Sequence, residues 1–263
     1  MNKEHKNIII ALILIPLLSG CIKENRDGCP SYLFIDLSQV DTTKIERVSL
    51  FIEENGGKII ENLTFDKPSI PLTYEMGIRK GDYKIHFWGN ILNKSNLDPN
   101  NGSITLIHGC DSDRLFFHTA DTDANSEISH HTVLPEKNYM NIKLFLKGIK
   151  NGEKLFANII SESNGYQLDG NVILEPTIIK SEYSDSCSFN IIRQEDYKNL
   201  KLVMKKNSEE ITIPIGELIL KEPPPYFPEN LCDITLRIDY SASRITIEAD
   251  GWKKIFEDFL QIF

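Results

Sequence analysis

The chain has 263 residues, with 29 Lys and Arg against 38 Asp and Glu, a formal net charge of −9 and a hydrophobic fraction of 41%. Such acidity argues against nucleic acid or an anionic membrane face as a partner. The length suffices for one large domain or two ordinary domains with cores of their own.

The chain opens with a basic zone carrying Lys3 and Lys6, an apolar run of eleven residues over 8–18, and the small pair Ser19-Gly20 before Cys21. A membrane-spanning helix requires roughly 20 residues, so the run reads as a signal peptide over 1–20. Leu17-Leu18-Ser19-Gly20-Cys21 has the form of a bacterial lipobox, whose cysteine is acylated and becomes the first residue of the mature chain. The competing reading is an ordinary cleaved signal that leaves Cys21 as a free thiol. Cleavage leaves 243 residues and removes Lys3, Lys6 and Glu4, which moves the formal charge from −9 to −10.

With Cys21 acylated, four cysteines remain: Cys29, Cys110, Cys187 and Cys232. An even number in an exported chain suggests two disulfides. Three pairings are open. Cys29 with Cys110 and Cys187 with Cys232 is the expected set, because it keeps one bond in each domain and domains fold as units. The alternative is that they persist as small buried thiols.

From residue 32 onward the dominant period is two. Over 45–53, Val48, Leu50 and Ile52 share one face and Arg47, Ser49 and Glu53 the other. Over 82–88, Tyr83, Ile85 and Phe87 oppose Lys84, His86 and Trp88, and over 141–147 Ile142, Leu144 and Leu146 oppose Lys143 and Lys147. Turn residues at Asn55-Gly56-Gly57 and over 79–82 and 98–102 separate these runs. Short strands at this spacing predict an all-β chain built as a β-sandwich.

The pattern restarts after Gly148-Ile149-Lys150-Asn151-Gly152, which places a first domain at 21–149 and a second at 150–263. In the second, Leu200, Leu202 and Met204 share a face. A hairpin follows in which Ile234, Leu236, Ile238 and Tyr240 turn back through Ser241-Ala242-Ser243 onto Ile245, Ile247 and Ala249. The run Glu222-Pro223-Pro224-Pro225-Tyr226-Phe227-Pro228 cannot lie in a central strand and reads as a stiff crossover, with a proline-rich ligand motif as the alternative. From Trp252, the residues Ile255, Phe256, Phe259, Leu260 and Phe263 recur at helical spacing and predict a short C-terminal helix folded over strand edges of the second sandwich. The competing reading is an extended segment that inserts into a neighbouring subunit.

No phosphate-binding Gly-rich loop, His-Glu-x-x-His motif or Gly-x-Ser-x-Gly elbow occurs, so no catalytic residue and no cofactor is expected. Asp121-Thr122-Asp123-Ala124-Asn125-Ser126-Glu127 begins like a calcium loop, but Ser126 stands where the turn requires Gly and Thr132 where a bidentate Glu is required. It reads as an acidic solvated loop. His108, His118, His130 and His131 have no Cys or carboxylate at zinc spacing and read as surface or edge-strand residues, so no metal site is expected. Trp88 and Trp252 read as core or interface residues.

Several short motifs together resemble the FimB-type fimbrial anchor lipoproteins of the Bacteroidales, which are related to the fimbrillins. They are the lipobox Cys21, Arg26-Asp27-Gly28-Cys29-Pro30, Phe87-Trp88-Gly89-Asn90, Leu115-Phe116-Phe117-His118, Gly165-Tyr166-Gln167-Leu168-Asp169-Gly170 and Gly251-Trp252-Lys253. Lys23-Glu24 is similar to a lipoprotein surface-export signal of the same group. The resemblance implies two tandem transthyretin-like β-sandwich domains and a lipid-anchored subunit that attaches a fimbrium to the outer membrane and limits its length. It also implies fimbrial stalk subunits as partners, joined by donor-strand exchange, with the membrane reached through the lipid. A surface glycan-binding lipoprotein is the alternative from another class.

Overall fold

A computed structural model describes residues 29–148, 155–183, 186–206, 209–221, 223–224, 227, 231–239, 242–249 and 251–257. The described residues form nineteen strands, one short α-helix and one 3-10 turn at Tyr197–Asn199, arranged as two β-sandwiches in tandem.

The first half supplies β1 (Ser31–Asp36), β2 (Arg47–Glu54), β3 (Lys58–Asp66), β4 (Thr73–Ile78), β5 (Asp82–Gly89), β6 (Ser95–Leu97), β7 (Ile104–Leu106), β8 (Phe116–Asp123), β9 (Ile128–Thr132) and β10 (Glu136–Lys137). One sheet has the order β4-β1-β9 and faces a second of order β10-β8-β5-β2-β3. The alternation in β2 and β5 does what period two requires: Val48, Leu50 and Ile52 meet Ile85 and Phe87 in a core closed by Leu33 and Ile35 of β1.

The second half supplies β11 (Tyr139–Lys147), β12 (Leu155–Tyr166), β13 (Val172–Tyr183), β14 (Ser186–Ile192), β15 (Lys201–Lys206), β16 (Glu209–Ile213), the helix α1 (Ile215–Lys221), β17 (Ile234–Asp239), β18 (Arg244–Ala249) and β19 (Trp252–Phe256). One sheet runs β14-β11-β17-β18-β19, the other β16-β15-β12-β7-β6 with β13 on the outer side of β12. Their shared core includes Ile142, Leu144, Ile159, Leu202, Leu236 and Ile247.

Three expectations differ from what the structure shows. The domain boundary at 149/150 falls inside the second sandwich: β11 pairs with β14 and, in parallel, with β17, so the division lies before Tyr139. The Gly148–Gly152 punctuation ends a strand, and a turn of that kind does not tell a change of sheet from a change of domain. In addition, β6 and β7 leave the first half to extend the sheet of β12.

The segment after Gly251 is a strand rather than a helix, with Trp252–Phe256 antiparallel to Ala249–Ile245. Gly251 has a φ of 81°, and the Ala249↔Trp252 pairing leaves a two-residue connection with the sequence Asp250-Gly251. That dipeptide is the strongest short hairpin signal, and it overrides the helical spacing of the apolar residues. Residues 258–263 lie outside the described residues.

The expected disulfide pairs are not seen in the structure. No disulfide forms among the described residues, where Cys29 is exposed, Cys110 and Cys187 are half-buried and Cys232 is buried. Cys187 stands opposite Leu144 on β11, and Leu144 stands opposite Leu236 on β17, so a whole strand separates Cys187 from the Cys232 side. Two strand spacings are about 10 Å, against the roughly 4.4–6.8 Å between Cα atoms that a disulfide spans. Cys29 precedes β1 of the first sandwich, whereas the neighbouring carbonyl of Cys110, that of Gly109, accepts from the Lys180 amide of the second.

Candidate functional site: the joint between the sandwiches

The outer face of β2 and β5 is not solvated. Phe51 and Trp88 project from it into a third core with Ile104, Leu106, Tyr166 and Leu168, which belongs to neither sandwich alone. Trp88 lies 4.4 Å from the Phe117 ring and 5.2 Å from that of Tyr166, in tilted contacts with planes 40° and 35° apart. Its indole N–H donates to the Leu168 carbonyl at 3.3 Å.

Tyr166 is fully buried yet satisfied: its hydroxyl donates to the Asn138 carbonyl at 2.9 Å and accepts from the Arg193 amide at 2.7 Å. Burial pushes its phenol well above the ordinary range. Two glycines set the closeness of the joint. A Cβ on Gly165 would lie 1.9 Å from the Ile104 carbonyl oxygen, and one on Gly170 would lie 2.5 Å from the Phe117 ring. The segments 87–90, 115–118 and 165–170, distant in sequence, therefore meet in one contact.

A polar latch flanks the aromatic contact. Asn90 holds a φ of 65°, and its side chain accepts from the Glu46 amide and donates to the carbonyls of Lys44 and Arg114. The buried carboxylate of Asp113 accepts from the amides of Leu92 and Lys94. Asp111 accepts from the Asn190 amide on β14 while pairing with Lys94 at 2.6 Å, and the Ser112 amide donates to the Asn190 carbonyl. The chain leading to β8 is thus fastened to the second sandwich by backbone and carboxylate bonds.

On the other side lies a groove of about 570 Å³, lined by Glu53, Lys84 and His86 from the first sandwich, Asn100 and Asn101 before β7, and Gln167 and Asp169 before β13. His86 is fully buried at its floor, with Nε2 3.3 Å from Glu53 and Nδ1 2.9 Å from the Thr119 hydroxyl. Burial lowers its pKa and outweighs the attraction of Glu53. The neutral ring donates from Nε2 to the carboxylate and accepts at Nδ1 from Thr119.

The remaining sequence candidates are dispersed. Cys21 lies outside the described residues. Asp123 is occupied by the Asn125 amide, and Asn125 by Asp82. His130 stacks on Phe34 at 5.2 Å, and His108 is exposed. His118 and His131, thirteen residues apart on different sheets, meet with Nε2 atoms at 3.1 Å. Trp252 packs against the second core. No helix among the described residues is long and apolar enough to cross a membrane.

Fold and joint define an all-β protein of two sandwiches locked by a shared third core. No known family model matches the sequence, and no curated protein matches it. Solved structures do. One is described as a candidate polysaccharide-binding protein from Bacteroides thetaiotaomicron; at 11% identity it covers 88% of this chain and 100% of its own, with a TM-score of 0.68. The fimbrial anchor protein Mfa2 from Porphyromonas gingivalis is 14% identical over 86% of this chain and 99% of its own, with a TM-score of 0.59. A candidate adhesin from Bacteroides thetaiotaomicron is 14% identical over 86% and 98%, with a TM-score of 0.58. At these identities the likeness establishes the fold.

Proposed function

We propose that this protein is a lipid-anchored fimbrial subunit of the outer membrane, which attaches a fimbrium to the cell surface and limits its length. The observation that carries this reading is the likeness of fold over 86% of the chain to a fimbrial anchor protein. The lipobox supports it, since each acyl methylene contributes about 0.8 kcal/mol and several chains make attachment effectively permanent. The locked joint supports it as well, because a tether under tension transmits force without yielding between its domains. Stalk subunits would join by donor-strand exchange, pairing an extended segment with an edge such as β4, β9 or β19, each of which ends its sheet among the described residues. Replacing Cys21 with Ala should move the protein out of the membrane fraction and shed fimbriae into the medium. Retention in the membrane would overturn the lipid anchor, and intact surface fimbriae would overturn the anchoring role.

The second reading is a surface glycan binder, favoured by the amide and carboxylate lining of the groove. Trp88 cannot serve it by stacking, being buried in the joint. If it is right, Asn101→Ala with Gln167→Ala should abolish binding on a glycan array, and an array without any bound sugar for the parent protein would end this reading.

A further inference from the structure

Beside the polar latch, the two sandwiches hold between them a second cavity of about 380 Å³, within the range of about 300–1,000 Å³ of small-molecule sites. It shares no residue with the groove at His86. The first half contributes Lys44, Glu46, Asp113 and Arg114 to its lining, and the second contributes Tyr139 and Asn190. Asn90 sets its rim, because its Nδ2 donates to the backbone carbonyls of both Lys44, at 2.8 Å, and Arg114, at 3.1 Å. Two cationic residues distant in sequence are thereby brought to one opening.

The polar groups of this cavity fall into two sets. One set is spent: Lys44 pairs with Asp41 at 3.2 Å and Lys94 with Asp111 at 2.6 Å, Asp113 Oδ2 accepts from the amides of Leu92 and Lys94, and Asn190 Oδ1 accepts from Asn141 Nδ2. The other set is open. Among the described residues, the Arg114 guanidinium, the Glu46 carboxylate, Asp113 Oδ1, Asn190 Nδ2 and the Tyr139 hydroxyl have no hydrogen-bond or ion-pair partner. One wall is aromatic, where Phe116 and Tyr139 meet at 6.0 Å with planes 70° apart, and Lys137, whose charge is given to Asp233, stands over Tyr139 at 4.8 Å. A lining this polar does not suit an apolar ligand. A free guanidinium matches a carboxylate through two parallel hydrogen bonds, carboxylate and amide groups match hydroxyls, and an aromatic wall matches the C–H surface of a sugar ring.

We infer that this cavity is a binding site for an acidic sugar, a uronic acid unit of a glycan. Arg114 donates to the sugar carboxylate, Glu46 and Asp113 Oδ1 accept from ring hydroxyls, Asn190 Nδ2 donates to a hydroxyl oxygen, and Phe116 and Tyr139 cover the apolar side of the ring. In a chain of net charge −9 the anion is held by these local cations, Arg114 with Lys44 and Lys94 beside it, and not by the field of the whole molecule. The latch fixes the backbone of both sides before any ligand arrives, so little ordering remains to be done on binding. The inference rests neither on the anchoring role nor on the groove at His86.

The test is titration of the full chain with glucuronate and with galacturonate, followed by saturation-transfer NMR, with glucose as the neutral counterpart. Saturable binding of at least one uronate is expected, with glucose weaker by about 10-fold or more, the loss that follows from removing one charge-assisted pair. Arg114→Gln should weaken the uronate to the level of glucose and leave the melting temperature unchanged, because the side chain is exposed. Tyr139→Phe keeps the aromatic wall and removes one hydroxyl, and it should weaken binding severalfold. Arg79→Gln, an exposed arginine outside the cavity lining, should leave binding unchanged. No saturable binding of either uronate by the parent protein, glucose bound as tightly as the uronate, or uronate binding that survives Arg114→Gln would overturn the site.

Discussion

His86 and Trp88 stand two residues apart on the face of β5 that alternation assigns to solvent, and both are fully buried. The second sandwich covers that face, and an imidazole there stays neutral because its charged form would lose hydration that Glu53 alone does not replace. The folded pKa therefore lies below the unfolded value of about 6.5, so below that pH the unfolded chain binds more protons. Stability should be complete above about pH 6.5 and fall as the pH drops toward the folded value, by at most about 1.4 kcal/mol per pH unit for one proton. Denaturant melts from pH 7.5 to 5 should show a shallower acid loss in His86→Gln than in the parent. Identical slopes would mean that the buried ring does not govern the response.

At the scale of elements, β19 shows how two local signals compete. The spacing of Trp252, Ile255 and Phe256 suits a helix, but a strand puts Trp252 and Phe256 against the second core and leaves Ile255 46% exposed. The outcome is decided by Gly251 and by β18, whose free edge offers backbone partners that an isolated helix of this length would lack in water. Deleting 252–263 removes two half-buried aromatics and uncovers that edge, so stability should fall by about 3 kcal/mol or more and self-association should rise. Ile255→Thr, by contrast, should change stability by less than about 0.5 kcal/mol. An unchanged melting temperature after the deletion would show that this strand contributes nothing to the second sandwich.

For the whole molecule the governing feature is that β6 and β7 leave the first half to pair with β12, while Trp88, Phe117 and Tyr166 fill the space between the sandwiches. Neither sandwich can open without exposing this shared core, so calorimetry should record one cooperative transition. Trp88→Ala should cost about 3–5 kcal/mol and separate that transition into two, whereas Trp88→Phe should preserve a single one. Two transitions in the parent protein would show that the joint does not couple the halves.

What the sequence by itself determined is the class of structure. Period two in β2, β5, β11 and the β17–β18 hairpin is a local property, since alternate side chains of a strand point to opposite faces wherever the strand lies. The Leu-Leu-Ser-Gly-Cys string around Cys21 is equally local, and the acylation proposed for it rests on that string alone. What only the tertiary structure decided is which faces are covered and which distant residues meet. Alternation cannot show that the polar-looking side of β5 is buried, because its cover comes from Tyr166 and Leu168, some eighty residues later. Nor can spacing reveal that His118 and His131 converge, since they lie on different sheets and are joined only by the packing of one against the other. Sheet order likewise placed β11 in the second sandwich and a whole strand between Cys187 and the Cys232 side, because long-range pairing is set by the closing of both cores together.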